Sequence, residues 1–298
     1  MNRKDVLVVE ISGKRPGSKK ERPTEKYQIN YNKLIISNNS DGYNTEWDIV
    51  NVPADYQEYY IKNYKQSENA WYAPMNRSYA IKYAKEHGYK YLIQLDDNIT
   101  NVNIVFANGN KKFYVGNSKI QLDDIIDMLI TVLENTNAGM AGCDMVSMST
   151  PNHQFLAERY CYSLFALKLD VCPPIFHGSF EDDIEYRLKL YQMGIPCVQV
   201  VPLKYGKTGQ AKNKDLSGCR AEYLRQGVKR GEQMRKLYGD IYSCGMAKGA
   251  KAGRQGERKN QILFKHKIKP IKCGVLVYGM DKIQNKFKEI LKHYIKEL

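Results

Sequence analysis

The stretch YLIQLDDNIT, residues 91–100, is the most informative part of the sequence for the fold. Its first five residues suit a buried strand, and they follow a helical pattern over residues 76–88 that ends in a glycine. A helix joined at once to a buried strand is an α/β unit. The strand runs directly into Asp96, Asp97 and Asn98. Because adjacent carboxylates repel each other, this pattern predicts a positive charge close to the end of the strand.

Helices and strands alternate along most of the remaining chain. Strands are predicted over residues 5–12, 33–38, 46–53, 138–149, 162–170, 196–206 and 272–280, and helices over residues 55–64, 122–135, 180–194, 221–240 and 282–298. This alternation predicts an α/β fold, in which a Rossmann-like mixed sheet is flanked by helices. Residues 247–261 have little to bury and are predicted to form a loop.

Positive charge is concentrated in the last third of the chain. The 298 residues carry 46 Lys and Arg against 32 Asp and Glu, but from residue 201 onward the counts are 24 against 8. We therefore predict a main domain over residues 1–212 and a basic, mainly helical region over residues 213–298. Such asymmetry favours a polyanion partner, with nucleic acid as the first choice. The alternative is a lysine-rich composition without a polyanion, and the basic region then only packs on the core.

Cysteine usage and hydropathy predict a cytoplasmic protein without a membrane partner. The seven cysteines are scattered and form no CxxC pair, which argues against a zinc site and against a disulfide framework. No apolar run approaches the roughly 20 residues that span a bilayer. The first residues contain too short an apolar run for a signal peptide and are predicted to be a strand.

A second acidic group opens a helix about 85 residues after the first. The stretch HGSFEDDIEY begins at His177 and Gly178 and contains Glu181, Asp182 and Asp183. Acidic residues are favoured in the first turn of a helix by its dipole, so capping alone can explain them. A carboxylate at such a point can also accept the proton of an incoming hydroxyl group.

Basic and polar residues at the starts and ends of other elements could bind phosphate. Asn76 and Arg77 open the helix before the acidic strand, and an arginine there can bind a phosphate or a carboxylate through its two-pronged guanidinium, although it can equally be a solvated surface residue. The loop after the first strand contributes Ser12, Lys14 and Arg15, but it matches neither nucleotide-binding glycine pattern. The last predicted strand is followed by further cations, namely Lys204, Lys207 and Lys212.

The order of these parts resembles a GT-A type glycosyltransferase. The stretch from WDIVNVPADYQEYY through MNRSYAIKYAKEHGYKYLIQLDDNI is similar to the phage and TET-associated glycosyltransferases, and the resemblance extends over residues 5–210. It implies an enzyme that transfers a hexose from a nucleoside diphosphate sugar, with UDP as the expected nucleotide, to hydroxymethylated pyrimidines in DNA. If the protein is encoded by a phage, the host cytoplasm is its expected location.

The resemblance also implies a role for each candidate residue. Mn²⁺ or Mg²⁺ is expected on Asp96, Asp97 and Asn98. The donor is expected at Ser12, Lys14, Arg15, Asn76, Arg77, Asp96, Asp97, Lys204 and Lys207. Catalytic carboxylates are expected among Asp182, Asp183 and Glu181, and the acceptor is expected at His177, Gly178, Lys212 and Arg220.

One departure from the family pattern bears on the metal. The family shows LDDD at the strand end, whereas this chain has Asn98 in the third acidic position. An amide oxygen can bind a hard cation but brings no charge, so weaker metal affinity is expected. Two alternatives remain at this point: a transferase with a protein, glycan or small-molecule acceptor, and a non-catalytic nucleic-acid-binding protein with a degenerate transferase fold. Neither inversion nor retention at the sugar carbon, nor the oligomeric state, follows from the sequence.

Overall fold

The computed structural model describes residues 2–13, 22–65, 71–108, 111–116, 120–146, 154–177, 182–207, 229–246, 264–268 and 272–295. The strands are β1 (Val6–Ser12), β2 (Asn32–Ser37), β3 (Asp48–Asn51), β4 (Tyr91–Asp96), β5 (Ile99–Asn108), β6 (Lys111–Val115), β7 (Met140–Met145), β8 (Leu156–Glu158), β9 (Leu164–Lys168), β10 (Cys197–Lys207), β11 (Tyr242–Met246) and β12 (Phe264–Ile268). The helices are α1 (Ala54–Tyr64), α2 (Tyr72–Glu86), α3 (Leu122–Glu134), α4 (Asp182–Gln192), α5 (Lys229–Tyr238) and α6 (Met280–Tyr294).

Within the described ranges, strands β1 to β10 form one mixed sheet. The strand order is β3-β2-β1-β4-β9-β7-β10-β5-β6, and β8 pairs with β10 beside this path. Strand β1 is parallel to β4, β9 is antiparallel to both β4 and β7, and β7 is parallel to β10. Strands β1, β4, β7 and β10 therefore run in the same direction, and their carboxyl ends lie at one edge of the sheet. Ligands of open α/β sheets bind at such an edge.

Helices cover both faces of the sheet, as the predicted fold class requires. Alternate residues of β1 contact different layers, as expected for a pleated strand. Val6 and Val8 belong to one apolar cluster with α3 and α6, whereas Leu7 and Val9 belong to another with α1, α2 and α4. The prediction of a mixed α/β sheet flanked by helices is confirmed.

The basic region packs on both sides of this core. Helix α6 contributes Ile283 and Phe287 to the cluster that contains α3. Helix α5 packs Met234 and Tyr238 against Ile184 and Leu188 of α4, and β11 and β12 form a separate antiparallel pair. The division at residue 212 stays a prediction, and residues 247–261 lie outside the described ranges.

The predicted strand over residues 272–280 is wrong. Its backbone pairs with the turn after α3 and not with a strand: Asn137 N donates to the Leu276 carbonyl (3.1 Å), and Tyr278 N donates to the Asn135 carbonyl (2.8 Å). Leu276 and Tyr278 are exposed in this segment. The apolar residues of this segment therefore do not form a strand of the sheet.

Candidate active site

The carboxyl end of β4 places the Asp96 carboxylate between two side-chain cations. Arg77 Nη2 donates to Asp96 Oδ1 at 2.5 Å, and Lys207 Nζ donates to Asp96 Oδ2 at 2.5 Å. Burial works to raise the pKa of this carboxyl, but Lys207 and Arg77 outweigh burial and hold the pKa far below its usual range. Asp96 is therefore ionised at neutral pH, and two protein side chains supply positive charge beside the strand end.

Arg77 joins the end of β4 to the start of α4. Its Nε donates to Asp182 Oδ2 at 3.0 Å, and its Nη1 donates to Gln94 Oε1 at 3.2 Å. Only 7% of the Arg77 side chain is exposed, so the guanidinium mainly contacts groups of the protein itself. Arg77 thus brings together two acidic groups that are far apart in the sequence, Asp96 and Asp182.

The first turn of α4 presents two of the predicted catalytic carboxylates. Burial is the main cause that raises the pKa of Asp182, and the nearby charge of Asp96 adds to it against the opposing effect of Arg77. A carboxyl with a raised pKa is better suited to accept a proton. Asp183 Oδ1 accepts a hydrogen bond from the backbone N–H of Ile184 at 2.8 Å, which is a local bond at the helix start.

Asp97 is turned away from Asp96, toward the end of β1. Ser12 Oγ donates to Asp97 Oδ2 at 2.8 Å and lies 3.0 Å from the Tyr43 hydroxyl. Ser12 and Asp97, which were both expected to bind the donor, thus contact each other, and their role in donor binding stays a prediction. The amide oxygen of Asn98, in the following turn, is buried and accepts no hydrogen bond from the described residues.

Two residues predicted to bind the donor have partners inside the protein. Asn76 is fully buried, and its Nδ2 donates to the Ser12 carbonyl at 2.8 Å, which ties α2 to the end of β1. Lys204 Nζ donates to Asp144 Oδ2 at 2.5 Å, and both side chains are nearly fully buried. The structure thus gives both residues structural contacts, and their role in donor binding stays a prediction.

His177 belongs to a polar cluster one helical turn from Asp182. Its Nδ1 lies 2.7 Å from Glu185 Oε1, and the hydroxyl of Tyr238 donates to the same oxygen at 2.6 Å. The His177 ring stacks on Tyr64 with a centroid distance of 5.9 Å. This cluster connects α1, α4 and α5 beside the acidic start of α4.

Comparison with known protein families identifies the family of the chain. The sequence profile described as "TET-Associated Glycosyltransferase" matches residues 22–215 of the chain. The chain belongs to the TET-associated glycosyltransferase family. It is therefore an enzyme that transfers a glycosyl group, and the resemblance to this family seen in the sequence is confirmed.

Other comparisons add little to the family assignment. A solved structure assigned as a nucleotide-diphospho-sugar transferase, from Desulfovibrio desulfuricans G20, is 10% identical in sequence. The match covers 77% of this chain and 97% of that chain with a TM-score of 0.36. No curated protein matches the chain. None of the described helices of this glycosyltransferase is long and apolar enough to cross a membrane.

The carboxylates of this glycosyltransferase do not fit a divalent cation in the arrangement described. Both oxygens of Asp96 are bound to side-chain cations, and Asp97 is hydrogen-bonded to Ser12. Among the described residues, no group of three or more His, Cys, Asp or Glu side chains is placed to bind a metal ion. The side-chain oxygen of Asn98, which has no hydrogen-bond partner among the described residues, is a single uncharged metal ligand at most. Binding of Mn²⁺ or Mg²⁺ at Asp96, Asp97 and Asn98 stays a prediction that needs a solution measurement.

Some predicted site residues cannot be placed. Lys14, Arg15, Gly178, Glu181, Lys212 and Arg220 lie outside the described ranges. Their assignment to donor, acceptor or catalysis stays a prediction.

The sequence analysis missed two residues that shape the site of this glycosyltransferase. Gln94 lies in the middle of an apolar strand, and its Nε2 donates to the Arg77 carbonyl at 3.1 Å. A buried amide within the run YLIQL was a usable signal, because such a group needs a partner. Ser163 accepts from Lys207 through its Oγ at 2.7 Å, and no pattern in the sequence marks it.

Proposed function

We propose that this glycosyltransferase moves a sugar from a nucleoside diphosphate sugar, taken as a UDP-sugar, onto the hydroxyl group of a 5-hydroxymethylcytosine-like base in DNA. The observation that carries the proposal is the convergence of Asp96, Arg77, Lys207 and Asp182 at the carboxyl edge of the sheet. We assign the diphosphate to Lys207 and the hydroxyl proton to the Asp182 carboxylate, while Arg77 holds Asp96 and Asp182 together. Family membership supplies the reaction class.

The donor is proposed to lie along the carboxyl ends of β1 and β4. Ser12, at the end of β1, and Asp97 would face the nucleoside, while the diphosphate would approach Lys207. The Lys207 side chain is 25% exposed, so its ammonium can contact a ligand. When the bond between the sugar carbon C1 and the diphosphate oxygen breaks, the electron pair leaves with that oxygen. A nearby cation stabilises the developing charge.

The acceptor is proposed to approach from the start of α4. In a direct displacement the acceptor oxygen forms the new bond to C1 and passes its proton to the carboxylate of Asp182. The raised pKa of Asp182, caused mainly by burial, suits proton acceptance. Direct displacement inverts the configuration at C1, so the anomer of the product tests this step.

DNA is proposed as the acceptor because of the charge of the C-terminal region. From residue 201 the chain has 24 Lys and Arg against 8 Asp and Glu. The basic helix α5 packs directly on α4 and exposes Arg235 and Lys236. Cations beside the catalytic helix can bind the phosphate backbone without reading the base sequence.

The decisive experiment is a nucleoside analysis by mass spectrometry. The full-length enzyme is incubated with hydroxymethylcytosine DNA and a panel of sugar nucleotides, and the DNA is then digested to nucleosides. We expect a mass increase of one hexosyl group on hydroxymethylcytosine and none on cytosine in matched unmodified DNA. Transfer to proteins, glycans or small hydroxylated acceptors but not to this DNA would contradict the DNA acceptor. DNA binding without any transfer would instead favour the degenerate, non-catalytic alternative.

Substitution at Asp182 tests its proposed role in proton transfer. Asp182→Asn is expected to reduce the transfer rate by about 10²–10⁴-fold, because the amide cannot accept the proton. UDP binding, measured by calorimetry, is expected to change little. Asp170→Asn is the matched control, because Asp170 is exposed after β9, at the opposite edge of the sheet. A variant Asp182→Asn that transfers sugar at the wild-type rate would rule out this carboxylate as the base.

A further inference from the structure

The ammonium of Lys207 has the contacts expected of a cation built into the donor site. Lys207 is the last residue of β10, and its Nζ donates to Asp96 Oδ2 at 2.5 Å and to Ser163 Oγ at 2.7 Å. An ammonium has three N–H donors. The third is without a partner among the described residues, and 25% of the side chain is exposed at the carboxyl edge of the sheet.

Ser163 orients both Lys207 and Asp96. Its carbonyl accepts a hydrogen bond from the backbone N–H of Asp96 at 2.8 Å, while its hydroxyl accepts from Lys207. Ser163 has a φ of 58°, a left-handed conformation that is uncommon for residues other than glycine. Strained residues of this kind occur where the surrounding structure requires a particular geometry, often at functional sites. Here the strain places one residue against both members of the ion pair.

The end of β10 is shaped so that Lys207 reaches the end of β4. The register between β10 and β5 shifts between Gly206 and Lys207, so that Lys207 pairs with Ile99, just after the acidic turn. Such irregularities commonly redirect a side chain near an active site. A Cβ atom on Gly206 would lie 2.0 Å from Asn101 Oδ1, so a larger residue would force Asn101 or the strand to move.

Arg77 and Lys207 together occupy both oxygens of Asp96, which is the carboxylate expected to bind a metal. A divalent cation on Asp96 would lie close to both of these positive charges, which disfavours its binding. Arg77 is buried among three acceptors, namely Asp96, Asp182 and Gln94, and is a positioning residue. Lys207 is the more exposed member of the pair, since 25% of its side chain is exposed against 7% for Arg77.

We propose that Lys207, bound to Asp96, takes the place of the divalent metal ion and that this glycosyltransferase binds and cleaves its donor without one. The inference rests on the proposed nucleoside diphosphate sugar donor. In the transfer step the C1–O bond to the diphosphate breaks, the electron pair leaves with the phosphate oxygen, and the Lys207 ammonium neutralises the charge. The acceptor oxygen forms the new bond to C1, and its proton passes to Asp182.

The test is calorimetric binding of UDP to the full-length protein, first with excess EDTA and then with Mn²⁺. We expect the Kd for UDP in EDTA to lie within about threefold of that in Mn²⁺. Lys207→Met is expected to weaken binding in EDTA by at least about tenfold, which corresponds to a loss of one charge-assisted hydrogen bond. Lys207→Arg, which keeps the charge, is expected to retain part of the affinity.

Lys90→Met is the matched control for this substitution. Lys90 forms a similar pair with Asp5 at 3.0 Å, next to the other end of β4, and its loss is expected to leave UDP binding unchanged. If Lys207→Met fails to fold, the inference is tested by the wild-type protein alone, through the comparison of its Kd for UDP in EDTA and in Mn²⁺.

The outcomes separate this inference from the function on which it rests. UDP binding that requires Mn²⁺, or a Lys207→Met variant with wild-type affinity in EDTA, would overturn the inference and leave the proposed donor intact. If UDP, GDP and ADP all fail to bind with or without Mn²⁺, the proposed donor is wrong and the inference falls with it.

Discussion

At the scale of single residues, Glu185 shows how a buried charge connects the site to the C-terminal region. Its side chain has no exposed surface, yet it contacts His177 and accepts a hydrogen bond from Tyr238. Burial works to raise the pKa of Glu185, but His177 and Tyr238 outweigh burial and lower the pKa from 4.5. The carboxylate therefore stays ionised in the folded protein.

The lowered pKa of Glu185 predicts a stability difference that depends on pH. A carboxyl whose pKa is lower in the folded state than in the unfolded state stabilises the fold at pH values above its unfolded-state pKa. This contribution is lost as the pH falls through its folded-state pKa. Glu185→Gln is expected to reduce the free energy of unfolding by about 1–3 kcal/mol at about pH 6. The difference in the free energy of unfolding between Glu185→Gln and wild type is expected to shrink below pH 4.5.

Urea denaturation of both proteins across this pH range measures the effect. Glu289→Gln is the control, because Glu289 is an exposed glutamate on α6 and its substitution is expected to change little. Equal stability of Glu185→Gln and wild type at about pH 6 would show that the buried cluster contributes nothing.

At the scale of elements, the last residues of β10 decide whether the site assembles. The sequence predicted a strand over residues 196–206, and the structure has β10 over Cys197–Lys207. The strand itself was predictable because its apolar run is local. Its partners were not, because β5 was not predicted and the register shift next to Gly206 depends on that pairing.

Gly206→Ala is expected to disturb the site through Asn101. The new Cβ would lie 2.0 Å from Asn101 Oδ1, so the asparagine or the strand must move, at a cost of about 1–3 kcal/mol. Because Lys207 is the next residue, sugar transfer is expected to fall as well. Thermal melts and transfer assays on the same preparations measure both losses.

A second substitution identifies the cause of these losses. Asn101→Ala alone is expected to be mild, because its Oδ1 accepts no hydrogen bond among the described residues. Combined with Gly206→Ala, it is expected to restore much of the stability and activity, since the clashing atom is gone. Losses that persist in the double variant would point to backbone conformation as the cause.

At the scale of the whole molecule, the two faces of the sheet have different exposed cations available to DNA. Helix α5 packs on α4 beside the site and exposes Arg235 and Lys236. Helix α6 packs with α3 in the cluster on the other face and exposes Lys282 and Lys288. A DNA acceptor at the start of α4 would contact the first pair and not the second.

Charge reversal on each helix tests this placement. Arg235→Glu with Lys236→Glu is expected to raise the KM for hydroxymethylcytosine DNA at least about tenfold and to leave the donor KM unchanged. The slope of log K against log salt is expected to fall by about 2, since each phosphate contact contributes about 0.9. Lys282→Glu with Lys288→Glu is the control of equal charge change. Equal effects of both pairs would mean that DNA responds only to net charge.

The sequence by itself determined most of the helices, the strands with local apolar runs, the acidic end of β4 and the family resemblance. These features depend on periodicity and on short motifs, which are local along the chain. Asp96 and Arg77 were found for this reason, since they lie in neighbouring elements of one α/β unit. The sequence could also predict that the carboxylates need a positive charge, because that requirement is electrostatic and independent of the fold.

Only the tertiary structure decided which cations meet that requirement. Lys207 lies 111 residues after Asp96 in the chain, and the two residues meet because the end of β10 pairs with Ile99, just after the acidic end of β4. Ser163, the strained residue between them, carries no signal in the sequence. The strand order β4-β9-β7-β10 results from long-range pairing. Such pairing follows from the burial of the whole sheet and cannot be read from any single stretch of residues.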